Sequence, residues 1–139
     1  QKLDPSGTPV WGAELTYVTA VSSFAVSALH ASNAGTAIVS FNHTTGNFGS
    51  PIHIWAQKLA AVDGASLWGA GHVQVFDGGS LQFGNFPQFI SDELGGAVFA
   101  WYTNSPSLQC RVQRILTNGT EAFAHQGLAD EHGHILVSL

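Results

Sequence analysis

Gln57-Lys58-Leu59-Ala60-Ala61-Val62-Asp63-Gly64-Ala65-Ser66-Leu67-Trp68-Gly69-Ala70 is the stretch that decides the fold, because its landmarks occur three times in the chain. The opening triplet stands also at Gln1-Lys2-Leu3 and at Gln113-Arg114-Ile115, a spacing of 56 residues in each direction. Each triplet leads into a glycine turn: Asp4-Pro5-Ser6-Gly7, Val62-Asp63-Gly64 and Thr117-Asn118-Gly119. Four residues past each glycine stands a large aromatic, Trp11, Trp68 or Phe123. Self-similarity at a fixed period marks an array of like supersecondary units, each of which buries its apolar face on its neighbours.

A second block repeats out of phase with the first. Ser91-Asp92-Glu93-Leu94-Gly95-Gly96-Ala97-Val98-Phe99-Ala100-Trp101 matches Ala129-Asp130-Glu131-His132-Gly133-His134-Ile135-Leu136-Val137-Ser138-Leu139, and more loosely the segment 31–41. The corresponding glycines, Gly35, Gly95 and Gly133, lie 60 and then 38 residues apart, so the last unit is shorter by 22. The units run near 1–56, 57–112 and a partial 113–139, forming one repeat-built β module.

Within a unit the pattern is strand throughout. Segments 24–30, 36–42, 52–59, 66–76, 86–92, 96–103 and 108–116 are short, rich in Val, Ile, Phe, Trp and Thr, and bounded by Gly, Asn, Asp, Ser or Pro. Asp63-Gly64 and Asn118-Gly119 are strong hairpin signals. No stretch holds a helical apolar spacing, so essentially no helix is predicted. Strands at 36–41, 96–101 and 134–139 are apolar on consecutive positions, which predicts that both of their faces are covered. The expected fold class is all-β, with antiparallel four-stranded blade-like repeats of the propeller type. About two and a half units do not close a ring, since closed propellers use roughly four to eight blades.

Composition narrows the function. Charged residues make up 9% of the 139, apolar residues 45%, and 16 are glycine, which excludes a disordered chain. Four basic against nine acidic residues leave a net charge of −5, a poor match for a phosphate backbone, so no nucleic-acid partner is expected. No apolar run reaches the roughly 20 residues of a membrane span. Cys110 is the only cysteine, which excludes an internal disulfide framework. The chain opens on Gln1 and contains no Met, as expected of a processed product or of a piece of something longer.

Gly95-Gly96-Ala97-Val98-Phe99-Ala100-Trp101, Val112-Gln113-Arg114-Ile115 and Asp63-Gly64-Ala65-Ser66-Leu67-Trp68-Gly69 together resemble the blade repeats of bacterial secreted β-propeller proteins of uncharacterised function. The resemblance covers most of the chain. It departs from the pattern in long connections at 43–51 and 76–86 and in the shortened last unit. It implies a propeller fold and an extracellular or cell-surface location, and it transfers no catalytic residue; sialidase-type Asp boxes are not matched at 4–11.

The candidate sites are few. Asp92-Glu93 and Asp130-Glu131 are adjacent acidic pairs of a kind that serves glycoside hydrolysis. They repeat with their turns, however, and are read as turn residues. His132 and His134, two apart and close to Asp130, form a weak metal candidate with no third ligand in view. Trp55 and its counterpart Arg111 in the next unit, together with Trp101 and Tyr102, are the candidates for stacking a glycan. Asn42 and Asn118 are acceptor sequons at strand ends or turns. Lys2, Lys58 and Arg114 share one repeat position and are read as solvated strand ends. Cys110 aligns with Ile54 and is expected to be buried. No cofactor is implied. The chain is expected to be a non-catalytic extracellular structural or interaction module that joins further blades or further copies as a homo-oligomer or filament. A glycan-binding propeller and a fragment of a carbohydrate-active enzyme are the alternatives.

Overall fold

A computed structural model of the chain describes residues 1–17 and 23–130. The described residues form two antiparallel sheets with no α-helix and one short 3-10 turn, Asn33–Gly35. The first sheet has the order β1 (Ser23–Ala31), β2 (Ala37–Thr44), β3 (Ile52–Leu59), β4 (Val73–Phe76). In the second, β5 (Ser80–Leu81) and β6 (Phe89–Ser91) both pair with β7 (Ala97–Ser105), which is followed by β8 (Gln109–Ile115) and β9 (Leu128–Ala129). The sheets are two copies of one plan: Ala37 pairs with Leu59 and Phe41 with Trp55 in the first, Ala97 with Ile115 and Trp101 with Arg111 in the second.

The glycine turns close alike in all three units. Isolated bridges join Leu3 to Pro9, Leu59 to Ser66 and Ile115 to Glu121. Gly7, Gly64 and Gly119 have φ of 84°, 76° and 86°, a conformation that side chains with a Cβ disfavour. The expected strand 66–76 is shorter than its composition suggests. It is a bridge at Ser66, a loop that turns Trp68 inward, and a strand only at Val73–Phe76. Gly69, at φ 88°, breaks the extended run.

The first sheet is covered on both faces, by the second sheet on one side and by the N-terminal segment on the other. Ala97, Phe99 and Trp101 of β7 join Ala28, Ile38, Ile54, Ala56, Val75 and Phe76 in the main core between the sheets. A second cluster lies on the far face of the first sheet, where Trp11 covers Val39, Phe41 and Leu59, flanked by Tyr17, Phe24 and Trp55. Strand β2 is therefore buried on both faces, as its consecutive apolar residues predict. For β7 that expectation is corrected: Ala97, Phe99, Trp101 and Thr103 are buried, whereas Val98 is only partly covered and Ala100 is exposed. The expected strand at 134–139 lies outside the described residues.

Candidate functional site

The repeated residues meet at joints between units. The Trp11 ring lies against Gly64, where a Cβ would come within 2.9 Å of it, and the Trp68 ring lies against Gly119 at the same separation. Trp11 Nε1 donates to the Ala61 carbonyl at 3.2 Å, and Trp68 Nε1 donates to the Thr117 carbonyl at 3.1 Å. The two acceptors occupy the same repeat position. Glycine is required twice over at these turns, for its φ and for the close approach of the ring.

The glutamine that opens the second and the third repeat pins a strand to the loop of its own aromatic. Gln57 is fully buried; its Oε1 accepts from the backbone N–H of Lys58 and of Trp68, and its Nε2 donates to the carbonyls of Gly69 and Gly71. Gln113 repeats the arrangement, accepting from Arg114 and Phe123 and donating to the Phe123 and Ala124 carbonyls. Sequence reasoning marked the glutamine as a landmark and gave it no task. Its recurrence at the same place in three units was the available signal.

The cations at the next position are not solvated strand ends, and that expectation is corrected. Lys58 is buried, and its Nζ donates to Asn33 Oδ1 at 2.8 Å, the Gly95 carbonyl at 2.6 Å and Thr117 Oγ1 at 3.4 Å, so one ammonium gathers turns of both sheets. Burial lowers its pKa, and the Asp92 charge opposes that shift. Lys2 Nζ reaches the Ala61 carbonyl at 3.1 Å. Arg114 Nε and Nη2 bind Asp92 Oδ2 at 3.0 and 2.8 Å. Asp92 Oδ1 also accepts from Leu94 and Gly96, closing the turn. Burial alone would raise the Asp92 pKa, but these hydrogen bonds outweigh it and leave the carboxyl below its ordinary value. Asp92 is thus committed to its turn and to Arg114.

One cluster does not repeat. On the face beside the N-terminal segment, Trp55 stacks on His43 with ring centres 4.1 Å apart, and Phe24, His72 and Tyr17 close around them at 4.6 to 5.7 Å. Trp55 Nε1 and the Nδ1 atoms of His43 and His72 are buried without a hydrogen-bond partner. Burial lowers the pKa of His43, His53 and His72; for His43 the neighbouring imidazoles His53 and His72 add to the effect. In the unfolded chain these groups titrate near 6.5. Below that value the unfolded state takes up protons that the folded state refuses, so stability is full above 6.5 and falls as the pH drops. His125 acts oppositely. Hydrogen bonding to Glu121 and Asp77 raises its pKa against the effect of burial, and its contribution is lost as the pH rises through the folded value. It is half exposed, so solvent weakens its part. The denaturation midpoint is accordingly expected to be lower at about pH 5 than at about pH 7.5. The lowered carboxyls Asp77 and Asp92 titrate below 3.8, outside this window. His43→Phe, which keeps the stack on Trp55, should reduce the difference, and equal midpoints at the two pH values would count against the assignment.

The glycan candidates are divided by the fold. Trp55 lies in the first sheet, and Trp101, Tyr102 and Arg111 lie in the second. Trp101 is buried against Phe76 in the main core, which corrects its reading as a sugar platform. Arg111 donates to the Gln126 carbonyl and to Gln109 Oε1. Asn42 is buried, and its Nδ2 donates to the Asn85 carbonyl at 2.7 Å, so β2 holds this sequon inside the protein; that expectation too is corrected. Asn118 is exposed on its turn, where its Oδ1 accepts from Thr120. Cys110 is buried, as its alignment with Ile54 predicts. His132 and His134 lie outside the described residues, among which no group of three or more His, Cys, Asp and Glu is placed to hold a metal ion. Nor is any described helix long and apolar enough to cross a membrane.

Fold and joints together define an all-β chain of antiparallel, blade-like units stitched through repeated Trp, Gly and Gln residues. No family model, no curated protein and no solved structure matches the chain.

Proposed function

We propose that this chain is a non-catalytic, extracellular structural and interaction module of the β-propeller type, whose blade-like units assemble with further units. The observation that carries the reading is the fate of the repeated residues: Trp11 and Trp68 are each spent on the glycine turn of the following unit. Residues kept at a fixed period for joining like to like serve assembly, as in other repeat proteins whose stability is a sum of neighbour interfaces. The likeness to blade repeats of exported bacterial proteins supports the extracellular location.

Light scattering or mass photometry tests this directly. The particle mass is expected to exceed the 14.6 kDa of one chain, and a single chain at every concentration would overturn the reading. The second reading, a glycan-binding module, has the partly exposed Trp55 indole, stacked on His43, in its favour. On a glycan array, binding that disappears in Trp55→Phe would favour the second reading, and no signal above background the first.

A further inference from the structure

We propose that a second copy of this chain docks head to tail on the first, with Phe123 of one copy seated on Leu3 and the Gly7 turn of the next. The proposal rests on the assembly reading above and supplies its contact. Inside the chain the joint is made twice. Trp11 seats on Leu59 and Gly64, and Trp68 seats on Gly119 in the cluster that holds Ile115. Each half of a third joint stands open among the described residues.

The aromatic half is Phe123, which is 37% exposed where its counterparts Trp11 and Trp68 are 7% and 6% exposed. The seat is Leu3, 55% exposed where its counterparts Leu59 and Ile115 are 5% and 0% exposed. Gly7 has the φ of the two occupied turns, and nothing lies within 4 Å of the place a Cβ would take, whereas at Gly64 and Gly119 a tryptophan ring fills that space. The surrounding faces agree. Val98, on the outer side of β7, is partly exposed and Ala100 exposed, while Ile38 and Ser40 at the same positions of β2 are buried. An apolar knob in the third unit and an uncovered seat in the first, of the shape that already mates twice within the chain, specify a heterologous contact that propagates into a ring or a filament. Phe123 lacks the indole N–H that Trp11 and Trp68 use, so the Pro5 carbonyl, equivalent to Ala61 and Thr117, gains no donor from it.

Sedimentation velocity on the whole 139-residue chain tests the contact. Wild type should associate with rising concentration. Phe123→Ala, which leaves the backbone bond from Phe123 N to Gln113 intact, should weaken association by at least about tenfold. Gly7→Asn should do the same, since Asn tolerates positive φ but places a Cβ on the seat. Phe123→Trp should tighten it roughly three- to tenfold by supplying the missing hydrogen bond. An equimolar mixture of Phe123→Ala and Gly7→Asn chains should form a species of two chains and stop there, because only one intact knob and one intact seat remain. Thermal melts check that each variant is folded. Wild type that stays a single chain overturns this proposal together with the assembly reading. Wild type whose association survives both single substitutions overturns the docking assignment alone.

Discussion

Trp68→Ala is expected to lower the unfolding free energy by about 3–5 kcal/mol, measured by denaturant titration. The indole is buried in the main core and bridges the sheets: it belongs to the unit of β3 and β4, packs on the Gly119 turn after β8, and donates to the Thr117 carbonyl. Truncation removes the ring, opens a cavity at a turn whose glycine has no side chain to fill it, and leaves a carbonyl without its donor. Trp68→Phe separates these effects. It keeps an aromatic on the glycine and loses mainly the hydrogen bond, for about 1 kcal/mol plus the smaller ring. Because Trp68 joins two sheets that each hold their own ladders, the alanine variant should also unfold less cooperatively, with probes in the first and second sheets no longer coincident. An unchanged midpoint would show that the main core holds the sheets together without this joint.

Gln57→Leu should cost about 3–4 kcal/mol despite the more apolar side chain. Four backbone groups lose their partner at once: the N–H of Lys58 and of Trp68, both in buried hydrogen bonds, and the carbonyls of the more exposed Gly69 and Gly71. Removing one side of a buried hydrogen bond costs more than the bond itself contributes, because the remaining group stays desolvated. Gln113→Leu should have a loss of similar size, since Gln113 makes the equivalent bonds around Phe123. A marked inequality between the two would mean that the units are not energetically alike. Should Gln57→Leu instead prove neutral, the glutamine would be a marker of the repeat rather than its fastener.

Much of this architecture is legible in the residues. Asp63-Gly64 and Asn118-Gly119 predict turns because only glycine is at ease at the positive φ they adopt, and the bridges Leu59 to Ser66 and Ile115 to Glu121 lie across them. The recurring triplet, glycine turn and aromatic place Trp11 and Trp68 in equivalent settings. The partners of the repeated residues were less accessible. Lys58 reads as a cation at a strand end, and it reaches Gly95 and Thr117 only because the second sheet stacks over the first. Asn42 reads as an open sequon until the loop carrying Asn85 closes over β2. Trp55 and Arg111 occupy matching positions and never meet, because equivalence in a repeat is a relation between sheets and not a contact within one.

By itself, the sequence determined what depends on neighbours along the chain: the repeat, the strands, the glycine turns and the near absence of helix. Alternation, turn chemistry and β-branched content act over a few residues and need no knowledge of packing. Only the tertiary structure decided which residues face a neighbouring unit and which face outward. Trp11 and the Ala61 carbonyl lie 50 residues apart, and Lys58 and the Gly95 carbonyl 37; both pairs exist only when whole units stack. The same stacking buries Leu59 and Ile115 and leaves Leu3 and Phe123 uncovered, turning one local motif into two closed joints and the two halves of a third.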